Sequence, residues 1–417
     1  MIADIDSYLR EFTFRENRHS VNFDGNAGKT RVEKEPVYGT CINRYINEFW
    51  TSRQRQASAL HEIAYRACFK PQLPRFFIEL LTNRGDLIYD PFAGRGTTAV
   101  EAGLLGRRVM ANDVNPLSVI LTRPRFDIPE SREIAERLDR IKIDVSAEAG
   151  IDLSMFYHIR TEAEICSLRD YLRERKEAGR EDALDAWIRM VATNRLTGHS
   201  RGFFSVYTLP PNQAVSPESQ RRINEKKGQI PDYRNVKELI LKKSRQLVSG
   251  LSETQKRDMG EIGRKAIFLN VDSRLTREIQ NGVVQLTVTS PPFLNVVQYT
   301  EDNWLRYWFN SIDAGEIAGK IVMARTLADW SNFIGEVFQE LYRITKRGGW
   351  VVFEVGEIKG GKINLDEYVV PLGLEAGFDC KGIIINEQDF TKTSNIWGIR
   401  NNRRGTNTNR IVLFKKE

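Results

Sequence analysis

The amino-acid sequence predicts an α/β protein built on a doubly wound, mostly parallel sheet. Short apolar strand signals alternate with helical signals near both ends of the chain, and a glycine-containing turn joins the first such strand to its helix. The 417 residues, 41% of them hydrophobic, supply enough apolar material for a large folded core. These observations favour one or two globular domains over a disordered chain.

The first third of the chain contains the alternation that supports this prediction. Apolar spacing predicts a short strand over Asp86–Asp90 and a small-residue helix over Thr97–Leu105. A second strand, Arg108–Asp113, and a second helix, Asn115–Leu121, follow; Pro116 stands in the first turn of that helix, where its missing N–H costs no hydrogen bond. Strands that alternate with helices in this way are typical of a parallel sheet.

Long charged helical stretches interrupt the alternation between residues 124 and 265. Because strand signals resume after them, we predict a mainly helical insert within one sheet. The expected organisation is an N-terminal arm (1–50), a first sheet part (51–123), the insert (124–265) and a second sheet part (266–417). The strands predicted in the second sheet part are 266–271, 283–289, 349–355, 382–386 and 410–415.

Cysteine spacing and net charge indicate the cellular compartment and the class of binding partner. The four cysteines are far apart and form no C-x-x-C pair, which argues against a disulfide framework or a thiolate zinc cluster and favours a reducing cytosol. The first residues carry charges where an export signal would be apolar, and no stretch predicts a membrane span, so a cytoplasmic location is expected. The net charge of +7 favours a polyanionic partner such as nucleic acid.

A glycine-containing loop, Asp90–Thr98, lies where the first strand meets its helix. Gly94 and Gly96 can adopt backbone angles closed to other residues, so a ligand can approach the main chain there. With Asp113 further on, the stretch also fits a dinucleotide site, in which the acid holds ribose hydroxyls. Asp90 would repel pyrophosphate, however, and suits a cationic ligand such as S-adenosylmethionine. The alternative is a purely structural turn capped by Asp90.

Asp272 follows the strand 266–271, at the carboxyl edge where α/β sheets bind ligands. Its carboxylate is a candidate acceptor for an adenine amino group. The alternative is that Asp272 caps a helix over Ser273–Ile279.

A second motif, Ser290-Pro291-Pro292-Phe293, ends the next strand. The two prolines stop the strand ladder and stiffen the chain, so that main-chain carbonyls are expected to project into the cleft. Those carbonyls and the Ser290 hydroxyl can accept hydrogen bonds from an exocyclic amine, and Phe293 can stack on a planar base. This chemistry suits a flipped nucleobase.

The two motifs together resemble those of the DNA amino-methyltransferases, whose signatures are D-P-F-x-G-x-G-T-T for S-adenosylmethionine and [SDN]-P-P-[YFW] for the target base. Phe69–Ile78 resembles the helix that closes over the methionine end of the cofactor in this family. The resemblance covers roughly residues 58–122 and 266–416 and implies the class I, Rossmann-like methyltransferase fold with a seven-stranded sheet. The cofactor-binding residues expected from loop and resemblance are Phe69, Lys70, Pro71, Asp90, Pro91, Phe92, Ala93, Gly94, Gly96, Thr97, Thr98, Asp113 and Asp272.

The resemblance also implies the reaction. The serine form of the second motif is typical of family members that make N4-methylcytosine, with Ser290, Pro291, Pro292 and Phe293 as the catalytic residues, and direct displacement needs no general base before transfer. An N6-adenine DNA enzyme, an RNA base methyltransferase and a silent DNA-binding protein remain as alternatives. No zinc set is implied, because His61-Glu62 has Tyr65 where a second ligand would stand.

The insert is the expected contact for double-stranded DNA. Residues 201–250 contain ten Lys and Arg against four Asp and Glu, and a turn-rich stretch over Gly198–Tyr207, at their start, carries aromatics. The alternatives are that these aromatics dock the insert onto the sheet and that the basic residues form a solvated face. The candidate DNA-binding residues are His199, Arg201, Phe204, Tyr207, Arg221, Arg222, Lys226 and Lys227, together with Arg403 and Arg404 in a C-terminal loop.

The resemblance implies a modification enzyme associated with the nucleoid and functionally paired with a separate restriction endonuclease. No nuclease-like arrangement is evident in this sequence, so cleavage would belong to another protein.

Overall fold

A computed structural model describes residues 2, 4–13, 28–37, 39–50, 57–66, 68–210, 213–292, 299–321, 324, 326–358, 363–387 and 408–417. Within these residues a nine-stranded sheet forms in the order β1-β2-β10-β11-β7-β6-β3-β4-β5, and β8 and β9 form a separate pair. The strands are β1 (Arg31–Val37), β2 (Thr40–Asn47), β3 (Leu87–Asp90), β4 (Arg108–Asn112), β5 (Ile267–Leu269), β6 (Val284–Thr289), β7 (Thr345–Val355), β8 (Glu357–Ile358), β9 (Ile363–Asn364), β10 (Asp379–Glu387) and β11 (Thr408–Lys415).

Helices cover both faces of the sheet and make up most of the insert. None of the helices in the described residues is long and apolar enough to cross a membrane. They are α1 (Ile5–Glu11), α2 (Gln72–Leu81), α3 (Thr97–Leu104), α4 (Leu117–Thr122), α5 (Ser131–Arg140), α6 (Ile159–Glu177), α7 (Ala183–Arg195), α8 (Pro217–Lys227), α9 (Val236–Val248), α10 (Glu253–Gly263), α11 (Tyr299–Asp302), α12 (Trp304–Asn310), α13 (Ala314–Lys320), α14 (Leu327–Ile344) and α15 (Asp366–Glu375).

The centre of the sheet is parallel and buried on both sides. β5, β4, β3, β6 and β7 pair in parallel, and every residue of β3 and β6 is buried. In β7, Trp350 and Val352 pack in one apolar cluster while Val351 and Phe353 pack in the cluster on the other face. Because neither face meets water, the sequences of such parallel strands are near-continuous apolar runs. The predicted α/β class is confirmed.

The N-terminal residues extend the sheet, where the sequence predicted an arm and seven strands. β2 pairs in parallel with β10, and β1 adds an antiparallel edge strand. The Asn386 side chain accepts the main-chain N–H of Phe49 at 2.7 Å, so the end of this hairpin is attached to β10. The pairing joins residues more than three hundred positions apart, which periodicity within residues 1–50 cannot reveal.

The insert shares its core with the sheet. Trp187 on α7 is fully buried, donates from its indole N–H to the Ser244 hydroxyl on α9 at 3.0 Å, and belongs to the same apolar cluster as Val288 of β6. The insert is therefore packed on one face of the sheet. In the chain, the insert lies between β4 and β5.

Close packing between α15 and β11 gives a stability prediction. A Cβ at Gly373 would overlap the buried Phe414 ring, whereas a Cβ at Gly335 on α14 would meet its nearest neighbour, Leu372, at 3.5 Å. We expect Gly373→Ala to destabilise the protein by about 1–3 kcal/mol, because the ring cannot yield without repacking.

Gly335→Ala is the matched control, and we expect it to be neutral or to stabilise by up to about 1 kcal/mol through helix propensity. Denaturant unfolding at constant m-value measures both changes. Equal shifts of the two midpoints would contradict this packing argument.

Candidate functional site

An open cavity lies at the carboxyl edge of the parallel strands. Asp90 at the end of β3, Asp113 after β4 and Ser290 after β6 all line it, as expected where several parallel strands end together. The cavity is lined by Tyr65, Cys68, Phe69, Asp90, Pro91, Phe92, Ala93, Gly94, Thr97, Asp113, Val114, Asn115, Asp272, Ser273, Ser290, Pro291, Pro292, Lys320, Ile321 and Phe333.

Asp90 is the buried centre of the site, with 1% of its surface exposed. Its Oδ1 accepts from the Thr289 hydroxyl at 2.7 Å and from the Phe92 main-chain N–H at 3.1 Å. Burial raises the pKa of Asp90 to about 7, although these hydrogen bonds oppose the shift. Since Thr289 directly precedes Ser290, the carboxylate joins the two sequence motifs.

The two glycines of the turn are needed for different reasons. Gly94 and Gly96 both have positive φ, 52° and 75°, which other residues rarely adopt. Gly94 lines the cavity, as the sequence analysis expected of both glycines. A Cβ at Gly96 would instead collide with the Thr122 side chain, so Gly96 is needed for packing between the turn and α4.

Three predicted cofactor-binding residues, Lys70, Pro71 and Thr98, are not among the residues that line the described cavity. Thr98 is buried and its hydroxyl donates to the Val288 carbonyl at 3.0 Å, which fixes α3 against β6. Lys70 and Pro71 precede α2, which begins at Gln72, three residues later than the predicted helix. Of that predicted segment, Phe69 contributes to the described cavity wall.

Asp113 fixes the cofactor loop from the neighbouring strand. Its Oδ2 accepts from the Gly94 main-chain N–H at 2.8 Å, and its Oδ1 accepts from that of Asn115 at 2.9 Å. Burial raises its pKa to about 6. Asn115, which the sequence analysis did not select, lines the cavity and donates to the Tyr307 hydroxyl at 2.8 Å.

Asp272 has a different environment from the one predicted. Its carboxylate is ion-paired with Arg274 at 2.7 Å and accepts the Arg274 main-chain N–H, and these bonds lower its pKa. The alternative of a helix over residues 273–279 is wrong, because turns occupy this stretch and Thr276 bonds to Glu340 on α14. Asp272 still lines the cavity, so its role as a cofactor acceptor stays a prediction.

The second motif places Ser290, Pro291 and Pro292 in the cavity wall, while Phe293 lies outside the described residues. The Pro292 carbonyl accepts from the Trp330 indole N–H of α14 at 3.1 Å. This differs from the expectation that the carbonyls of both prolines face a ligand. The bond instead stabilises the turn after β6 against α14.

Glu354 on β7 is a site residue that the sequence analysis missed. Its carboxylate accepts from the Asn409 side-chain amide at 2.6 Å and bonds to the Ser290 hydroxyl. The side chain is 9% exposed, and burial raises its pKa to about 7. Its signal was a single acid within the apolar stretch 350–355, but its proximity to Ser290 required the strand order.

The segment Leu60–Ala64 leads into the wall residues Tyr65, Cys68 and Phe69 and is held by side-chain hydrogen bonds to its main chain. These bonds come from the cofactor loop, the start of the insert, α7 and α12, and the arginines involved are all buried. They run from Arg125 to the Leu60 carbonyl, from Arg95 to His61 and Ile63, from Asn194 to Glu62, and from Arg306 to Ala64, at 2.8–3.2 Å. The segment therefore depends on parts of the chain that are distant in sequence.

The candidate DNA contacts separate into buried and exposed residues. Phe204 is fully buried, so the prediction that it contacts DNA is wrong, and it docks the insert instead. Tyr207 is partly buried, with the Lys227 ammonium 4.2 Å from its ring centre. His199 is exposed, and Arg201 is exposed and ion-paired with Asp232 at 2.7 Å.

The basic residues of α8 form an exposed face. Arg222 and Lys226 have no ion pair within the described part of the chain, whereas Arg221 pairs with Asp152 at 2.8 Å. The segment before α8 is attached to the chain after the Ser290 motif, since the Ala214 N–H donates to the Asp302 carbonyl and the Trp304 indole donates to Val215. Arg403 and Arg404 lie outside the described residues.

Comparison with protein families gives a match to the DNA methylase family over residues 16–157, about a third of the chain. This region contains the Asp90 loop and ends before Ser290. Of two similar curated proteins, the type II methyltransferase M.MvaI of Kocuria varians is 24% identical over 60% of this chain and 56% of its own length. The type II methyltransferase M.BsoBI of Geobacillus stearothermophilus is 24% identical over 69% of this chain and 60% of its own length.

Among solved structures, a putative DNA modification methylase from Thermus thermophilus complexed with S-adenosyl-L-methionine is 18% identical, with a TM-score of 0.22, over 35% of this chain and 53% of that one. The present chain spans little more than half the length of the two curated relatives. Over these matched regions the chain is similar to DNA methylases and to type II methyltransferases.

Proposed function

We propose that this protein transfers a methyl group from S-adenosylmethionine to the N4 amino group of a cytosine flipped out of duplex DNA. The observation that carries the proposal is that the Asp90 loop and the Ser290-Pro291-Pro292 segment line one cavity and are joined by the Thr289–Asp90 hydrogen bond. A methyl donor and an acceptor amine bound by these two segments would lie side by side. Such proximity supplies much of the rate enhancement in a direct displacement.

The cavity fits S-adenosylmethionine by the chemistry of its wall. Asp90, Asp113 and Asp272 place carboxylates there, while Phe69 and Phe333 add aromatic surface. The carboxylates suit an ammonium group, a sulfonium group and ribose hydroxyls. When bound, the cofactor supplies an electrophilic methyl group. Gly94 permits close approach to the loop, and Asp113 keeps that loop in place through its bond to the Gly94 N–H.

The acceptor side of the cavity orients an amine. The Ser290 hydroxyl stands in the wall directly after Thr289, whose own hydroxyl is occupied by Asp90. Ser290 can accept a hydrogen bond from an exocyclic N–H, which favours a pyramidal nitrogen with its lone pair directed at the methyl group. The serine in this position, where adenine enzymes of the family usually carry Asp or Asn, favours cytosine N4 over adenine N6.

The partner is proposed to be duplex DNA held by α8. Its exposed basic residues suit phosphate contacts, and the segment before it is bonded to the chain after the Ser290 motif. A duplex bound along α8 would therefore lie near the acceptor side of the cavity. By analogy with the type II relatives, we propose functional pairing with a separate restriction endonuclease.

The proposed function is tested with isotope-labelled S-adenosylmethionine and unmethylated genomic DNA. After digestion to nucleosides, mass spectrometry should find the label in N4-methylcytosine. Label in N6-methyladenine would keep the mechanism and overturn the inference from Ser290, and no label in the DNA would reject DNA as the substrate.

Ser290→Ala is expected to lower the single-turnover transfer rate by about 10²-fold, because the reacting group loses a preorganised hydrogen-bond partner. Cofactor affinity, measured by calorimetry, should change little. Ser273→Ala removes another hydroxyl from the cavity wall and serves as the control with a near-normal rate at saturating cofactor. Comparable rates for wild type and Ser290→Ala would remove Ser290 from the mechanism.

Cofactor affinity should rise with pH between 5.5 and 8. The pKa of Asp90 is about 7, so the carboxylate that attracts a cationic ligand is largely neutral at pH 6 and ionised at pH 8. We expect the Kd from calorimetry to increase by up to about tenfold per pH unit below 7.

Asp90→Asn should bind the cofactor weakly, and its Kd should depend much less on pH. The control is Asp272→Asn, because the Arg274 pair lowers the pKa of Asp272 and keeps it ionised across this range. A wild-type affinity that is constant, or that increases as the pH falls, would contradict the role of Asp90.

The α8 face predicts a salt-dependent contribution to DNA binding. The double variant Arg222→Gln, Lys226→Gln should weaken binding and lower the slope of log K against log salt by about 1 for each phosphate that the protein no longer neutralises. Arg132→Gln on α5, an exposed arginine paired with Glu136, is the control. An unchanged slope in the double variant would place DNA elsewhere.

A further inference from the structure

We propose that Glu354 is the proton acceptor of the transfer step and acts through the Ser290 hydroxyl. This inference rests on the proposed function, because it assigns the destination of the proton that a methylated amine must lose. Glu354 does not line the described cavity itself, so it is a positioning residue that reaches the substrate through Ser290.

Strand register brings the two residues together. β6 and β7 pair in parallel with Thr289 beside Phe353, and the next residue of each chain is Ser290 and Glu354. The Ser290 hydroxyl bonds to the Glu354 carboxylate, and an ionised carboxylate can only accept. Ser290 therefore donates its proton toward Glu354 and keeps oxygen lone pairs for an N–H in the cavity.

The surroundings of Glu354 are neutral. Ser290 at the end of β6 and Asn409 on β11 are its hydrogen-bond partners, and the facing residue in the β11 register is Ile411. No charged group within the described residues contributes to its shift; burial alone raises its pKa, to about 7, against the two hydrogen bonds. A carboxylate with that pKa can take up a proton and release it to solvent near neutral pH.

The proton balance is complete without another reactant. The amine nitrogen forms the new bond to the methyl carbon, the carbon–sulfur bond breaks, and its electron pair stays on sulfur. The nitrogen then carries one proton in excess. That proton passes to the Ser290 oxygen as the Ser290 proton passes to a Glu354 carboxylate oxygen, which leaves a neutral amine, an intact serine and a carboxylic acid.

The pH dependence of single-turnover transfer at saturating cofactor and DNA tests this inference. The wild-type rate should rise with pH and level off above about 7, because Glu354 must be ionised to accept a proton. Glu354→Gln should lower the plateau by about 10²-fold and abolish the inflection. If Glu354→Gln keeps the wild-type inflection or the wild-type rate, the relay is rejected.

Two further variants separate proton transfer from a structural effect. Asn409→Ala removes a hydrogen bond that stabilises the ionised carboxylate and should move the inflection upward by about one pH unit. Glu164→Gln is the matched control, since Glu164 on α6 is also 9% exposed and accepts from Tyr233 and from the Val236 N–H. It should keep the wild-type profile; an unmoved inflection in Asn409→Ala would count against Glu354.

A second readout distinguishes failure of this inference from failure of the proposed function. Asp90 and Glu354 both have a pKa of about 7, so infrared spectra of the protein with no DNA should show protonated-carboxyl absorption that titrates near pH 7 and that Glu354→Gln lowers without removing. Wild-type protein that methylates no DNA would reject the proposed function. Normal methylation together with absorption that Glu354→Gln leaves unchanged would reject the relay alone.

Discussion

The hydrogen bond from the Thr289 hydroxyl to the Asp90 carboxylate is the interaction on which the site depends. It joins the ends of β3 and β6, so the residues that follow each strand leave the sheet at the same place. The Thr98 hydroxyl reinforces the junction by donating to the Val288 carbonyl. Because Asp90 is buried, removal of the Thr289 hydroxyl would leave its carboxylate short of a hydrogen-bond donor in the interior, which is costly. The two motifs are therefore constrained as a pair.

A second constraint acts on the segment that leads into the cavity-wall residues Tyr65, Cys68 and Phe69. Leu60–Ala64 contains the end of a single 3-10 turn and is otherwise irregular, yet its carbonyls accept from buried arginines and one asparagine of four different parts of the chain. Hydrogen bonds to charged donors are stronger than those between neutral groups, so such a segment can be held as firmly as a strand. Asn194 belongs to the insert and Arg95 to the cofactor loop, so insert and loop are positioned through the same few peptides.

Local sequence signals predicted the parts of the fold and site that are contiguous in the chain. The strand, glycine turn and helix around Asp90 are specified within twenty residues, and the Ser290 motif ends a strand by its own prolines. The two N-terminal strands and Glu354 were missed because each acquires its role from a distant strand, β10 or β6. Phe204 was misassigned for a related reason, since an aromatic in a turn-rich stretch serves equally for docking and for stacking. The alternative that Asp272 caps a helix was wrong, because its carboxylate is ion-paired with Arg274, two residues away.

Burial raises the pKa of three acids at this site, and the groups around each acid determine whether a bound ligand would favour its ionised form. Burial raises the pKa of Asp90, Asp113 and Glu354 to about 7, 6 and 7. Asp90 and Asp113 line the cavity beside the glycine turn, where a cationic ligand would favour their ionised forms. Glu354 is separated from the cavity by Ser290 and meets neutral partners, so its charge has no ligand to match. An acid so placed is stabilised by gaining a proton, and its route to the cavity is the hydroxyl that would hold the substrate amine.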